Sequence, residues 1–190
     1  MKVKSLDDRQ FEECCSKLAS MIKTEWSNPD IIVGIKSGGK YVADKIAMYF
    51  PEVSLTYAVS RRPSTRKKKN VGKFLKFLPT VILDGLRIVE SMFLKNFGSR
   101  ERQVTLKFGD LPANEPDNRQ IKILIVDDAV DSGETLLAVK NRISEMSDNT
   151  EIKTAVITVT TDNPVIKPDY TVFDDKTLIR FPWSIDCVTK

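Results

Sequence analysis

The stretch VDDAVDSGETL, residues 126–136, decides how the rest of this chain is read. It closes an apolar run, IKILIV (121–126), with two adjacent acids, Asp127 and Asp128. Asp131 follows, then Ser132, Gly133, Glu134 and Thr135, and GETLLAVKNRISEM (133–146) continues with helical spacing. A short, β-branched apolar run bounded by turn residues reads as a buried parallel strand. Ligands of open parallel sheets bind at the carboxyl ends of the strands, so Asp127 and Asp128 are expected at a binding edge. The loop after them wraps the N-terminus of a helix, whose N–H groups and dipole favour an anion. Gly133 permits close backbone approach there, and Ser132 and Thr135 add hydroxyl donors. The acids in turn call for hydroxyl donors or a metal ion. The stretch therefore reads as a sugar-phosphate site, with phosphate on the loop and sugar hydroxyls on the acids.

Strand and helix alternate outward from this point. Ser5 to Trp26 has Phe11, Cys14, Cys15, Leu18 and Ile22 at helical spacing, with Ser5 and Asp8 placed as a capping box. IIVGI (31–35) is a second buried strand, SGG (37–39) a tight turn, and KYVADKIAMYF (40–50) a helix that Pro51 ends. VSLTYAV (53–59), QVTLKF (103–108) and IKTAVITV (152–159) read as further strands. SRRPSTRKKKN (60–70) and GDLPANEPDNRQ (109–120) read as loops, and PTVILDGLRIVESMFLKNF (79–97) has helical spacing. Short extended pieces follow between Pro and Asp punctuation after 160. This alternation predicts an α/β fold with a parallel central sheet flanked by helices. With 190 residues we expect one domain, its core about 27–160, a loop and insertion about 60–120, and a C-terminal part about 161–190.

Composition narrows the chemistry. The chain has no histidine, which excludes Ser-His and Cys-His nucleophile pairs and His-ligated zinc. Three cysteines, two of them neighbours, argue against a disulfide framework and for a reduced, cytoplasmic protein. Nothing approaches the ~20 apolar residues of a bilayer span, and the N-terminus carries no signal pattern, so no integral membrane association is expected. The net charge of +4 is local: eight basic residues and no acid lie between Ser60 and Leu83, and the remainder of the chain carries −4.

VDDAVDSGETL resembles the phosphoribosyl pyrophosphate motif of type I phosphoribosyltransferases at every informative position. VGIKSGGKYVADKIA (33–47) is similar to that family's pyrophosphate loop, and KPDYTVFDDKTLIRFPW (167–183) looks like the C-terminal hood of its xanthine, guanine and hypoxanthine enzymes. The resemblance implies a type I fold with a small C-terminal hood and an unusual inserted helical segment. It implies transfer of phosphoribosyl from phosphoribosyl pyrophosphate to a nitrogen of a nucleobase-like acceptor, with Mg²⁺ as cofactor and a homodimer as the assembly. Asp127 and Asp128 would hold the ribose hydroxyls and, indirectly, the metal. Asp131, Ser132, Gly133, Glu134 and Thr135 would hold the 5′-phosphate, with Asp131 also the acid–base contact to the acceptor. Lys36, Ser37, Gly38 and Gly39 would hold the pyrophosphate, with Lys36–Ser37 the candidate for a cis peptide bond. Ile179 and Thr160 would approach the acceptor base.

Two features depart from the family pattern. Purine enzymes of the family carry a lysine after the strand at 152–159, where this chain has Thr160, short and neutral, so the acceptor stays open. The family's mobile loop falls on a basic cluster that includes Arg61, Arg62, Arg66 and Lys67, suited to a pyrophosphate-bearing substrate. Nucleic-acid backbone contact is the alternative use of that cluster, although no aromatic residues interleave it. Two other readings stand beside the transferase: a non-catalytic regulator of the same fold that binds nucleotide or nucleic acid, and a transferase acting on a non-purine or macromolecular acceptor.

Overall fold

The computed structural model describes residues 2–61, 103–107 and 119–184. The chain divides into two units, Met1–Ser60 with Val104–Lys190, and Arg61–Gln103, and nearly all of the described residues belong to the first. The helical run expected over 79–97 and most of the 109–120 loop lie outside the described residues.

Among the described residues, eight strands and three helices succeed one another: β1 (Val3–Ser5), α1 (Asp8–Glu25), β2 (Ile31–Lys36), α2 (Gly38–Ala47), β3 (Ser54–Arg61), β4 (Gln103–Lys107), β5 (Ile121–Val130), α3 (Glu134–Ser144), β6 (Thr150–Val159), β7 (Tyr170–Phe173) and β8 (Leu178–Arg180). Six strands form one sheet in the order β4-β3-β2-β5-β6-β7. Neighbours from β3 through β7 run parallel. This is the parallel α/β architecture that the alternation of apolar runs predicts.

The continuous apolar runs are explained by burial on both faces. One face of β2 and β5 sends Ile32, Leu124 and Val126 into a core built with Leu18 and Ile22 of α1 and Val42 and Ile46 of α2. The other sends Ile31, Val33, Ile35, Ile123 and Ile125 against Leu136, Val139 and Ile143 of α3. Side chains alternate across a strand, so a strand covered on both sides must be apolar at every position.

The elements differ from expectation in three places. The capping box of α1 is Asp7 with Gln10, not Ser5 with Asp8: the Gln10 N–H donates to Asp7 Oδ1 at 2.7 Å and the Asp7 N–H to Gln10 Oε1 at 3.2 Å. Ser5 is taken up by β1, which pairs with β8. β5 does not stop at Val126 but runs on to Val130, with Asp127 paired to Val156 and Ala129 to Thr158. The hood-like segment divides: β7 joins the main sheet beside β6, while β8 pairs with β1 in a separate two-stranded sheet. Among the described residues no helix is long and apolar enough to cross a membrane.

Candidate active site

The Lys36–Ser37 peptide bond, at the junction of β2 and α2, is cis. Ser37 caps α2 without a side-chain hydrogen bond, so its hydroxyl does not occupy the N-terminus of the helix. The two glycines after it admit the acids of β5. A Cβ on Gly38 would fall 1.9 Å from Asp128 Oδ2, and one on Gly39 would fall 2.8 Å from both the Cα and Oδ1 of Asp127. No larger residue fits either position without moving the acids, which is the physical reason for two glycines here.

Asp127 and Asp128 are half-buried on the last turns of β5. The Asp128 N–H donates to Asp127 Oδ1 at 2.9 Å, and the Ala129 N–H donates to Asp128 Oδ1 at 3.0 Å. Burial, reinforced by the charge of Asp128, pushes the Asp127 carboxyl well above the usual carboxylate range. Burial raises Asp128 as well, against the hydrogen bonds it accepts. Two acids held this close do not both ionise freely without a cation or hydroxyl donors.

The phosphate-loop candidates come next along the chain. Asp131 is exposed, Ser132, Glu134 and Thr135 are half-buried, and Gly133 is buried. Gly133 caps α3 in the left-handed region, with φ 81° and no side-chain cap. The Glu134 N–H reaches Ser132 Oγ at 3.5 Å. A segment that sequence reading did not assign to the site crosses this loop: the Val165 N–H donates to the Ser132 carbonyl at 2.9 Å, and a Cβ on Gly133 would meet Ile166 N and O at 3.1 Å and Pro164 Cβ at 3.2 Å. The Asn163-Pro164 pair is the one signal of a turn there. Residues of this segment line a cavity of about 300 Å³ with Val159, Thr171 and Asp174.

Thr160 lies beside Asp131. Its N–H donates to the Val130 carbonyl at 2.9 Å, and its hydroxyl is 3.2 Å from that carbonyl and 3.4 Å from Asp131 Oδ1. Ile179 is elsewhere: it is 6% exposed, in the core with Leu6 and Phe181. Arg61 ends β3, and Arg62, Arg66 and Lys67 lie outside the described residues. The structure thus brings Gly38 and Gly39 against Asp128 and Asp127, and Thr160 against Asp131, while Ile179 is packed in the core.

The acid pair lies at the carboxyl edge of a parallel sheet between two helix starts, where open α/β sheets bind their ligands. The family model for the phosphoribosyl transferase domain matches residues 2–189, and the chain belongs to that family, a class of transferase enzymes. Its fold is that of the purine phosphoribosyltransferases. Over all of this chain and 99% of the other, it superposes on a Pyrococcus horikoshii purine phosphoribosyltransferase with a TM-score of 0.67 at 21% identity. A Helicobacter pylori xanthine-guanine-hypoxanthine phosphoribosyltransferase gives 0.65 at 14%, over 97% and 95% of the two chains. A Neisseria gonorrhoeae protein solved with bound ppGpp gives 0.60 at 17%, over 96% and 89%. At these identities the likeness is one of fold. No curated protein matches the sequence.

Proposed function

We propose that the chain transfers the phosphoribosyl group of phosphoribosyl pyrophosphate to a nitrogen of a nucleobase-like acceptor and releases pyrophosphate. The observation that carries this reading is the contact of Gly38 and Gly39 with Asp128 and Asp127. It supports the reading because the loop between β2 and α2 then lies directly beside the paired acids of β5. In this reading Lys36 to Gly39 hold the pyrophosphate, Asp127 and Asp128 the ribose 2′- and 3′-hydroxyls, and Ser132 to Thr135 the 5′-phosphate. Asp131, exposed and next to Thr160, exchanges a proton with the acceptor nitrogen.

Mg²⁺ fits the residues present. Among the described residues no group of three or more Cys, Asp or Glu could hold a metal ion by itself. Mg²⁺ is commonly bound through one or two carboxylates together with substrate phosphates, and the paired, proton-favouring acids supply that share. The bound ion would neutralise charge building on the departing pyrophosphate. The chain's own part is to orient the ribose on Asp127 and Asp128 and to fix both anionic ends at helix starts. The family resemblance also carries a homodimer, and the buried free thiols of Cys14 and Cys15 suit the reducing cytoplasm.

The test is titration calorimetry of the wild type and of Asp127→Asn/Asp128→Asn with phosphoribosyl pyrophosphate and Mg²⁺. Binding that the double variant loses, followed by pyrophosphate release in an acceptor screen, is the expected result. A wild type that does not bind would end the transferase reading. A second reading, a nucleotide-binding regulator, is favoured by Thr160, whose hydroxyl is engaged beside Asp131 where purine enzymes of the family place a lysine. Binding of nucleotide, without pyrophosphate release from the donor whichever acceptor is offered, would support it.

A further inference from the structure

Beside the cis bond lies a cluster in which Tyr57 meets residues of the VGIKSGGKYVADKIA stretch. Tyr57 of β3 stands opposite Gly34 of β2. A Cβ on Gly34 would lie 2.7 Å from Ala43 Cβ and 3.1 Å from Tyr57 Cδ1, so the missing side chain lets both the ring and α2 approach β2. The Tyr57 hydroxyl donates to Oδ1 of Asp44, and the Lys40 ammonium donates to Oδ2 of the same carboxylate. Two ammonium groups share the ring: Lys36 Nζ lies 5.4 Å and Lys40 Nζ 5.2 Å from its centroid. Lys36 is exposed and makes no ion pair among the described residues.

Lys40 is oddly placed for a structural lysine. It lies in the first turn of α2, where the helix dipole disfavours a cation. Its ammonium is held by Asp44, four residues on, rather than left free at the helix start. A cation in a first turn is favourable when an anion occupies that end.

We propose that Lys40 is a second pyrophosphate-binding cation, held in reserve by Asp44, and that Asp44 is a positioning residue setting how tightly pyrophosphate is held. The inference rests on the pyrophosphate site proposed above. A pyrophosphate at the Lys36–Gly39 loop carries more charge than one half-exposed carboxylate and draws Lys40 to itself. Asp44 then keeps the Tyr57 hydroxyl as its donor, so the exchange strands no buried charge. Tyr57 is the surface on which both ammonium groups rest before and after. When pyrophosphate leaves as product, Asp44 reclaims Lys40 and lowers the cost of release.

The experiment is calorimetric titration of inorganic pyrophosphate with Mg²⁺ into wild type, Lys40→Met, Asp44→Asn and the double variant, with melting curves for each. Lys40→Met should weaken pyrophosphate binding about tenfold, the scale of one charge-assisted hydrogen bond. Asp44→Asn should tighten it several-fold, by freeing Lys40, and the double variant should return to the Lys40→Met value. A merely structural Asp44 would weaken binding when replaced, so unchanged or weaker binding by a folded Asp44→Asn overturns the proposal. If that variant does not fold, Lys40→Met decides, because an unchanged affinity there overturns it equally. A wild type that fails to bind pyrophosphate removes the site itself, an outcome distinct from wild-type binding that Lys40→Met leaves intact.

Discussion

Asp127 carries a cost in the ligand-free protein, and the cost has a pH signature. Its carboxyl is raised above the ordinary value of 3.8 by burial and by Asp128. Below that value both folded and unfolded chains are protonated and nothing is lost. As pH rises through and above it, the unfolded chain ionises first, binds fewer protons, and gains relative to the native state. Asp127→Asn escapes this. Melting curves across pH should therefore show the variant level with wild type below about pH 3 and more stable near neutrality. The same variant should lose donor binding, so stability and function move in opposite directions at one residue. Binding of donor and metal to the wild type should release protons, seen as a dependence of calorimetric heat on the ionisation enthalpy of the buffer.

At the scale of elements, the start of α3 is the most exacting joint. Gly133 needs its positive φ, and a Cβ there would crowd the 164–166 segment at 3.1–3.2 Å, so that segment must give by a few tenths of an ångström. Gly133→Ala should cost about 1–2 kcal/mol for the left-handed backbone alone. The displaced segment should weaken donor binding as well, and a melting curve with a titration checks both. This joint was legible in the sequence, because a strand, paired acids and a Ser-Gly turn are local patterns. So were the strands buried on both faces. What lay hidden depended on contacts distant in the chain. Asp127 to Val130 read as loop because Asp is a poor strand former, and only pairing with β6 keeps them extended. β1 is exposed at every position and has no apolar alternation to announce it. Both Ser5 and Asp7 can cap a helix, and only the pairing of β1 with β8 decides between them. Tyr57 joins Lys40 and Asp44 only through the pairing of β3 with β2, a contact no local pattern announces.

Across the whole molecule, α1 ties the first residues to the last. Leu6 is 1% exposed, and its N–H donates to the Arg180 carbonyl at 2.9 Å. Phe11 meets Trp183 edge-on at 4.9 Å between centroids and Phe181 at 6.4 Å. Trp183 stacks on Tyr41 of α2 at 4.5 Å, so the C-terminal segment closes over both helices of that face. Leu6→Ala should cost about 2–5 kcal/mol, the range for emptying a core leucine site. Donor binding should survive it in whatever fraction stays folded, because Leu6 belongs to the hydrophobic core and not to the residues proposed to hold the donor. Chemical denaturation with a parallel titration separates the two effects.

The pairing of Val3 with Leu178 has a consequence for how the polypeptide comes off the ribosome. β1 finds its partner only when β8, far later in the chain, has been made. Until then Phe11 lacks Phe181 and Trp183, and a greasy flank of α1 stays open. Contacts of such long sequence separation form late and slowly. A nascent chain of this protein therefore depends on residues 178–183 for shelter, and is a natural client for chaperones that hold apolar surface until that segment emerges.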